Sequence, residues 1–146
     1  MYARKNVLLI LFIFSALPVF SQTKDAILGK WLNASGEGQI LIYKTGDTYA
    51  GKLVWLKEVN NRDGQIKRDE KNPKYALKNR PLLGIELLQN FVYQKDGVWE
   101  EGSIYDPKTG KTYSCTISMI SSDKLSVRGY VGISLLGRTE TWQRVY

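Results

Sequence analysis

The chain contains no histidine, and this absence removes the commonest catalytic designs from consideration. Ser-His-Asp and Cys-His schemes both need an imidazole base, and imidazole is also a leading ligand for zinc. Carboxylate pairs remain, but Glu100 and Glu101 are adjacent on a predicted strand and should therefore point to opposite faces. Asp106 and Glu140 could converge only through the tertiary fold. We therefore assign no catalytic residue and favour a binding role over an enzymatic one.

Cysteine is nearly absent as well. Cys115 is the single example, so the chain cannot form an intramolecular disulfide. It falls in phase with the apolar residues of its predicted strand, and without an imidazole to activate it we interpret it as a buried, inert thiol. Asp63, Asp69 and Glu70 lack the spacing of a calcium loop and sit among cations. The sequence predicts no metal site and no cofactor.

Long apolar runs are missing beyond the first twenty residues. The one such run, Val7 to Leu17, follows Arg4 and Lys5 and precedes Val19-Phe20-Ser21. This order predicts a signal peptide over residues 1–21, because the run is too short to span a bilayer and no stop-transfer segment follows. We therefore expect an exported protein, periplasmic or secreted, with a single domain over residues 22–146 and no integral membrane segment.

Positive charge is in excess and is concentrated in one stretch. The net charge is +7 at pH 7, and most of the excess outside the predicted signal peptide lies in residues 60–81, a basic loop with no helix or strand period. Its cations are Arg62, Lys67, Arg68, Lys71, Lys74, Lys78 and Arg80. A loop this long in a compact domain is usually functional or mobile. Charge held in one loop of an exported protein is not a nucleic-acid footprint, so we expect no nucleic-acid partner.

Alternation of apolar and polar residues is the main structural signal. This alternation predicts a meander of three antiparallel strands joined by tight turns over residues 98–130, and similar predicted strands recur at regular spacing through the chain. The count is eight or nine, with no helix of ordinary length. Leu82 to Phe91 fits a strand or a short helix; we prefer the strand because Gly84 would cost a helix about 1 kcal/mol. In the strand that begins at Tyr49, we expect Leu53 and Trp55 to face inward.

The two ends of the predicted sheet carry complementary residues. Gly29-Lys30-Trp31 opens the first strand and Arg144 lies near the end of the last one. This arrangement resembles the calycin superfamily, which includes the lipocalins, where a late arginine packs on the tryptophan of a G-x-W motif. The resemblance implies an antiparallel up-and-down β-barrel whose first and last strands pair. In those families the motif is structural and plugs one end of the barrel.

A second resemblance extends over nearly the whole mature chain. Its blocks in order are Asp69, Asn72-Pro73, Arg80-Pro81-Leu82-Leu83-Gly84, Gly102-Ser103-Ile104-Tyr105-Asp106-Pro107, Gly110-Lys111-Thr112-Tyr113, Gly129-Tyr130-Val131-Gly132 and Gly137-Arg138-Thr139-Glu140-Thr141-Trp142-Gln143-Arg144. They are similar to an exported bacterial family known as domain of unknown function 2147. The resemblance implies a small exported β-barrel without an established activity. The Phe-Ser-Gln sequence at the predicted cleavage site is similar to that of exported proteins of Bacteroidetes.

Within these blocks, several residues are harder to explain by turns and packing than the glycines are. We take them as candidate ligand-binding residues: Arg80, Tyr105, Tyr113, Arg138, Glu140 and Trp142. Arg138, Glu140 and Trp142 share one face of the closing strand. If that face points inward, its charges lie in the lumen and must be paired or meet a ligand. If it points outward, they form a solvated ladder.

An eight-stranded barrel is just wide enough to be filled with side chains or to hold one small ligand. We expect a binding protein for a small anionic or lipid-like ligand, with the basic loop closing over the mouth. The alternative is a filled barrel that acts through its surface as an envelope structural or partner-binding module. The sequence sets no oligomeric state.

Overall fold

The computed structural model describes residues 23–146, so the predicted signal peptide lies outside the described residues. Eight antiparallel strands form one closed barrel in sequential order. They are β1 (Gly29–Leu32), β2 (Gly38–Thr45), β3 (Thr48–Leu56), β4 (Glu86–Tyr93), β5 (Val98–Asp106), β6 (Lys111–Ser121), β7 (Lys124–Tyr130) and β8 (Gly137–Val145). A 3₁₀ turn at Tyr75–Leu77 is the one helical element among these residues. The predicted up-and-down barrel is confirmed.

The segment that was ambiguous in sequence is a strand. β4 occupies its second half, whereas Leu82 to Ile85 form the end of the β3 to β4 connection. Gly84 has a φ of +98°, which a helix would not allow, and its N–H donates to the Leu53 carbonyl over 2.7 Å. The preference for a strand is therefore confirmed, with a later start than the sequence indicated.

The barrel closes where β1 meets β8. Trp31 pairs with Arg144 across the two strands, and the Arg144 guanidinium lies 4.2 Å from the centre of the fully buried Trp31 ring. The guanidinium also donates to the carbonyls of Leu28, Ala26 and Ser122 over 2.8, 2.6 and 2.8 Å. The contact expected from the calycin resemblance is thus present.

One end of the barrel is closed by the chain that leads into β1. The Trp31 Nε1 donates to the Ile27 carbonyl over 2.9 Å, and the Tyr49 hydroxyl donates to the Asp25 carboxylate over 2.6 Å. Burial, followed by this hydrogen bond, raises the pKa of Tyr49, and the same bond is the main cause that lowers the pKa of Asp25. Ile27 is fully buried beneath the barrel. These contacts fix the residues before β1 as a plug.

A β-bulge corrects the expected orientation of Trp55. In the β2 and β3 pairing, Ile40 faces Leu53, but Gln39 faces Trp55, so Val54 is an extra residue. The alternation of side chains is reset at that point. Trp55 is 40% exposed, whereas Leu56 lines the interior cavity. The prediction that Trp55 faces inward is wrong because it assumed strict alternation of inward and outward side chains along β3, and the bulge interrupts that alternation.

A second bulge falls at Glu101 on β5. This residue has a φ of +62°, and the pairing of β5 with β6 shifts by one residue between Trp99 and Gly102. Both of those residues are buried, whereas Glu100 and Glu101 are both exposed. The expectation that the two glutamates point to opposite faces is therefore wrong, for the same physical reason as at Trp55.

Candidate ligand-binding site

The barrel is filled at one end and open at the other. The connections β1 to β2, β3 to β4, β5 to β6 and β7 to β8 all lie at the open end, because consecutive strands run in opposite directions. Within this end lies a cavity of about 1060 Å³ that opens between the four connections. Below it, the closed half is packed with buried aromatic and aliphatic side chains, among them Trp31, Trp99 and Phe91.

The inner wall of the cavity is mainly aliphatic. Its apolar members are Ile40, Leu53, Leu56, Leu82, Leu87, Ile104, Val127 and Trp142. Ile40 and Val127 are 1% and 3% exposed, so they also belong to the core that continues into the closed half. Gly129 lines the same wall, and a Cβ placed on it would come no closer than 3.5 Å to the Ile104 side chain. The missing side chain at this position leaves space in the lumen.

The side chains on the inner face of β8 become more exposed toward the mouth of the barrel. Trp142 is 3% exposed and belongs to the core, so this face points inward. Toward the mouth, the Glu140 side chain is 38% exposed and that of Arg138 is 87% exposed. The Trp142 Nε1 donates weakly to Glu140 over 3.5 Å, and the Arg138 guanidinium lies 3.7 Å from the Glu140 carboxylate. Glu140 therefore lies on the cavity wall and makes only long contacts with its two neighbours on β8.

A buried carboxylate anchors the basic loop to the barrel wall. Asp69 is fully buried, and its Oδ2 accepts from the Arg80 guanidinium over 2.8 and 2.9 Å and from the Asn72 amide over 2.8 Å. Its Oδ1 accepts from the hydroxyl of Tyr105, on β5, over 2.5 Å. Burial, followed by this hydrogen bond, raises the pKa of Tyr105 to about 12. The acceptor-only carboxylate thus meets donors on both oxygens, which is what allows the charge to be buried.

The backbone of the loop packs against the neighbouring turn. Gly110 closes the β5 to β6 turn with a φ of +73°, and a Cβ there would lie 1.9 Å from the Lys71 carbonyl oxygen. The loop is also ordered by its own hydrogen bonds, from the Asp69 N–H to the Arg80 carbonyl and from the Leu82 N–H to the Lys67 carbonyl, over 3.0 and 2.9 Å. The long loop is therefore a structured wall of the mouth.

The rim of the cavity carries charges of both signs. Its cations are Lys57, Lys67, Arg68, Lys71, Lys108 and Arg138, and its carboxylates are Glu37, Glu58, Glu70, Asp106 and Glu140. Lys108 binds Glu37 over 2.6 Å, which is the main cause that lowers the pKa of Glu37. Lys57, Arg68 and Lys71 form no ion pair with another residue of the described range. Three of the seven loop cations reach the cavity, so the mouth is less basic than the loop as a whole.

Comparison with known protein families identifies the chain. The family described as an uncharacterised protein conserved in bacteria, DUF2147, matches residues 29–144, which include every strand except the last residue of β8. The chain belongs to the DUF2147 family. This confirms the family that the sequence blocks indicated.

A solved structure with a similar fold is described as a lipocalin. Protein HP1028 from the human pathogen Helicobacter pylori, described as belonging to the lipocalin family, matches with a TM-score of 0.69 and 20% identity over 82% of each chain. At this level of identity the likeness concerns the fold. No curated protein matches the chain.

The structure separates the six candidate residues of this family member into two groups. Tyr105, Tyr113, Arg138, Glu140 and Trp142 line the cavity, whereas Arg80 does not. The guanidinium of Arg80 is engaged by Asp69, as is the hydroxyl of Tyr105. Arg138, Glu140 and Trp142 are adjacent on the inner face of β8.

Sequence reasoning missed two parts of the site. The role of Asp69 as an anchor could not be read from spacing, because its partners Arg80 and Tyr105 lie 11 and 36 residues away. Its position within a block of the family was the one available signal. The aliphatic wall was missed because core and cavity residues follow the same alternation, and only the fold shows which positions are left uncovered.

Residues 23–146 give little support for a metal site or a reactive thiol. No group of three or more metal-ligating side chains comes together there. Burial raises the pKa of the Cys115 thiol to about 12, so it is protonated at neutral pH. No helix in the described range has the length and apolar character that crossing a membrane requires.

Proposed function

We propose that this DUF2147 protein binds a small amphipathic molecule, lipid-like and with an anionic headgroup, in the open half of its lumen. The observation that carries the proposal is the cavity of about 1060 Å³, with its aliphatic wall and charged rim. Small-molecule sites in proteins are concave, of about 300–1,000 Å³, and mainly apolar with a few polar groups that fix orientation. The cavity has this size and an apolar inner wall, and its rim carries more charged groups than such sites usually do.

The apolar part of the ligand would occupy the inner wall. Leu53, Leu87 and Ile104 face it from three successive strands, and Trp142 closes it from β8. Burying apolar surface stabilises a complex by about 25 cal/mol per Å² of area removed from water. The volume of the cavity counts against a barrel filled along its whole length.

Charge sets the orientation of the ligand. Lys57 and Lys71 line the rim without an ion pair inside the described range, so they remain available to an anionic group, whereas the Arg68 guanidinium donates to the Asn79 carbonyl. Glu140, deeper on β8, would repel the same group. The headgroup would therefore stay at the mouth while the tail enters. Action in the periplasm or outside the cell is part of the proposal and rests on the signal peptide predicted over residues 1–21.

Filling the cavity tests the proposal. Gly129→Phe would place a ring in the lumen, and the backbone of β7 at this position does not require a positive φ. Ser114→Phe, on the exposed face of the neighbouring β6, is the matched control. We expect a fluorescent fatty acid to bind the unchanged protein and the control with equal affinity. It should bind Gly129→Phe at least tenfold more weakly, and circular dichroism should show that Gly129→Phe still forms the barrel. Equal binding by all three proteins would contradict a lumenal site.

The headgroup is tested separately. Lys57→Gln with Lys71→Gln should weaken binding of a fatty acid but leave binding of its uncharged methyl ester unchanged. Glu70→Gln, a carboxylate of the same rim, is the matched control and should not weaken the acid. If acid and ester lose affinity together, the lysines do not recognise charge.

A further inference from the structure

A cluster of exposed apolar side chains stands at the mouth of the barrel. The apolar loop, residues 131–136 between β7 and β8, contains Val131, Ile133, Leu135 and Leu136, which are 66%, 59%, 83% and 71% exposed. Single exposed apolar residues are ordinary on protein surfaces, but four within six residues are not. Packing within the described barrel does not account for them.

The apolar loop is held in one shape by hydrogen bonds. The Arg128 Nε donates to the Ser134 carbonyl over 2.8 Å, and the same guanidinium donates to the Thr139 hydroxyl over 2.8 Å. Within the loop, the Leu136 N–H donates to the Ile133 carbonyl over 3.1 Å. These hydrogen bonds fix the backbone of the loop while its four apolar side chains remain exposed.

Cations lie around the same mouth. Val131 and Leu136 line the cavity together with Lys57, Arg68 and Lys71, and Arg138 follows the loop with its side chain 87% exposed. The same rim holds five carboxylates against six cations, so its net charge is only slightly positive. Exposed apolar side chains and adjacent cations are the two features that bind proteins to the surface of an anionic bilayer. Each cation near such a surface contributes about 1 kcal/mol, or roughly fivefold in affinity.

We infer that the mouth of the barrel docks on an anionic lipid bilayer, with Ile133 and Leu135 inserted among the headgroups and the rim cations against the lipid phosphates. This surface goes beyond the proposed ligand site, because neither inserted residue lines the cavity. A bilayer fits the surface better than a protein partner does. A stable protein interface buries about 1,600 Å² in total, far more than a six-residue loop provides, whereas a bilayer interface needs only a few apolar side chains and adjacent charge.

Vesicle binding tests the inference. The protein, made with its own amino-terminal sequence and processed by the producing cell, is mixed with vesicles of phosphatidylcholine alone or with 30 mol% phosphatidylglycerol, and the bound fraction is measured by flotation. Ile133→Ser with Leu135→Ser is compared with Ile120→Ser, a residue of β6 that is 56% exposed next to the hairpin at the closed end. All variants share the same amino-terminal residues, so their differences report the substituted positions.

We expect binding to the anionic vesicles that weakens when salt is raised from 0.1 to 0.5 M, because screening shortens the reach of the cations. The double variant should bind at least tenfold more weakly and Ile120→Ser within twofold of the unchanged protein. Equal binding to neutral vesicles, or equal loss in Ile120→Ser, would overturn the inference. The inference would also be overturned if the unchanged protein formed a dimer and bound no vesicles, and if Ile133→Ser with Leu135→Ser made that dimer monomeric.

This design distinguishes a failure of the docking surface from a failure of the lumenal ligand site. Ile133→Ser with Leu135→Ser should still bind a fatty acid from solution, because both side chains lie outside the cavity. Loss of vesicle binding with retained fatty-acid binding supports the docking surface. If the unchanged protein bound no fatty acid, the ligand site would be contradicted, and vesicle binding would still decide the docking surface.

Discussion

Gly110→Ala tests whether the basic loop is docked on the barrel, and Gly36→Ala is its matched control. Both glycines lie in turns at the open end, with φ values of +73° and +72°. An L-residue in this conformation costs roughly 1–2 kcal/mol, and both substitutions incur that cost. The surroundings differ, because the new methyl at Gly36 meets no atom within 4 Å, whereas that at Gly110 would lie 1.9 Å from the Lys71 carbonyl oxygen.

The clash at Gly110 cannot be relieved by a side-chain rotation, since the opposing atom belongs to the backbone of the loop. Lys71 must move by more than 1 Å to restore an ordinary contact. Overpacking of this kind costs roughly 1–3 kcal/mol. We therefore expect a loss of about 1–2 kcal/mol for Gly36→Ala and about 2–5 kcal/mol for Gly110→Ala. The movement would also disturb Asp69, two residues from Lys71.

The assay is urea unfolding followed by tryptophan fluorescence, together with hydrogen-exchange mass spectrometry of residues 57–85. In Gly110→Ala the peptides of that segment should exchange faster, because loss of docking opens the loop before the barrel unfolds. In Gly36→Ala their exchange should match the unchanged protein. Equal stability losses with unchanged exchange in the loop would refute the docking, and with it the loop as a fixed wall of the cavity.

Three further results are expected. Trp31→Ala should lower the free energy of unfolding by about 3–5 kcal/mol as a buried large-to-small change, whereas Trp55→Ala, at a 40% exposed position, should cost under about 1 kcal/mol in the same urea titration. Asp69→Ala should cost about 1–3 kcal/mol, because Tyr105 and Asn72 lose a buried acceptor while Arg80, whose side chain is 35% exposed, can be hydrated, and a loss below about 1 kcal/mol would show that these contacts are dispensable. Tyr105, with its pKa raised to about 12, contributes stability that is complete below pH 10 and is lost between pH 10 and 12. Tyr105→Phe should therefore unfold with a shallower pH dependence over that window, and an identical slope in both proteins would contradict the raised pKa.

The barrel could be predicted from sequence because its determinants are local. Alternation marks each strand, and the pairing of neighbours then needs no long-range information. Closure was the exception, and its prediction came from the resemblance to the calycin superfamily, in which a late arginine packs on the tryptophan of the first strand, as Arg144 does on Trp31. The errors at Trp55 and Glu101 arose where bulges interrupt the period, and a bulge leaves no clear mark in composition.

The mouth could not be predicted to the same depth, because its structure depends on contacts between distant residues. The net charge of the basic loop indicated a charged mouth, but Arg80 is turned inward onto Asp69, and only the tertiary contacts reveal this. Burying the Asp69 carboxylate costs hydration, so its ion pair contributes less to stability than its contacts imply. The same carboxylate joins Arg80 of the loop to Tyr105 of β5, and the loop therefore stands beside that strand. The mouth thus has a fixed charged side, anchored by Asp69, and an exposed apolar side at residues 131–136 that the barrel itself does not cover.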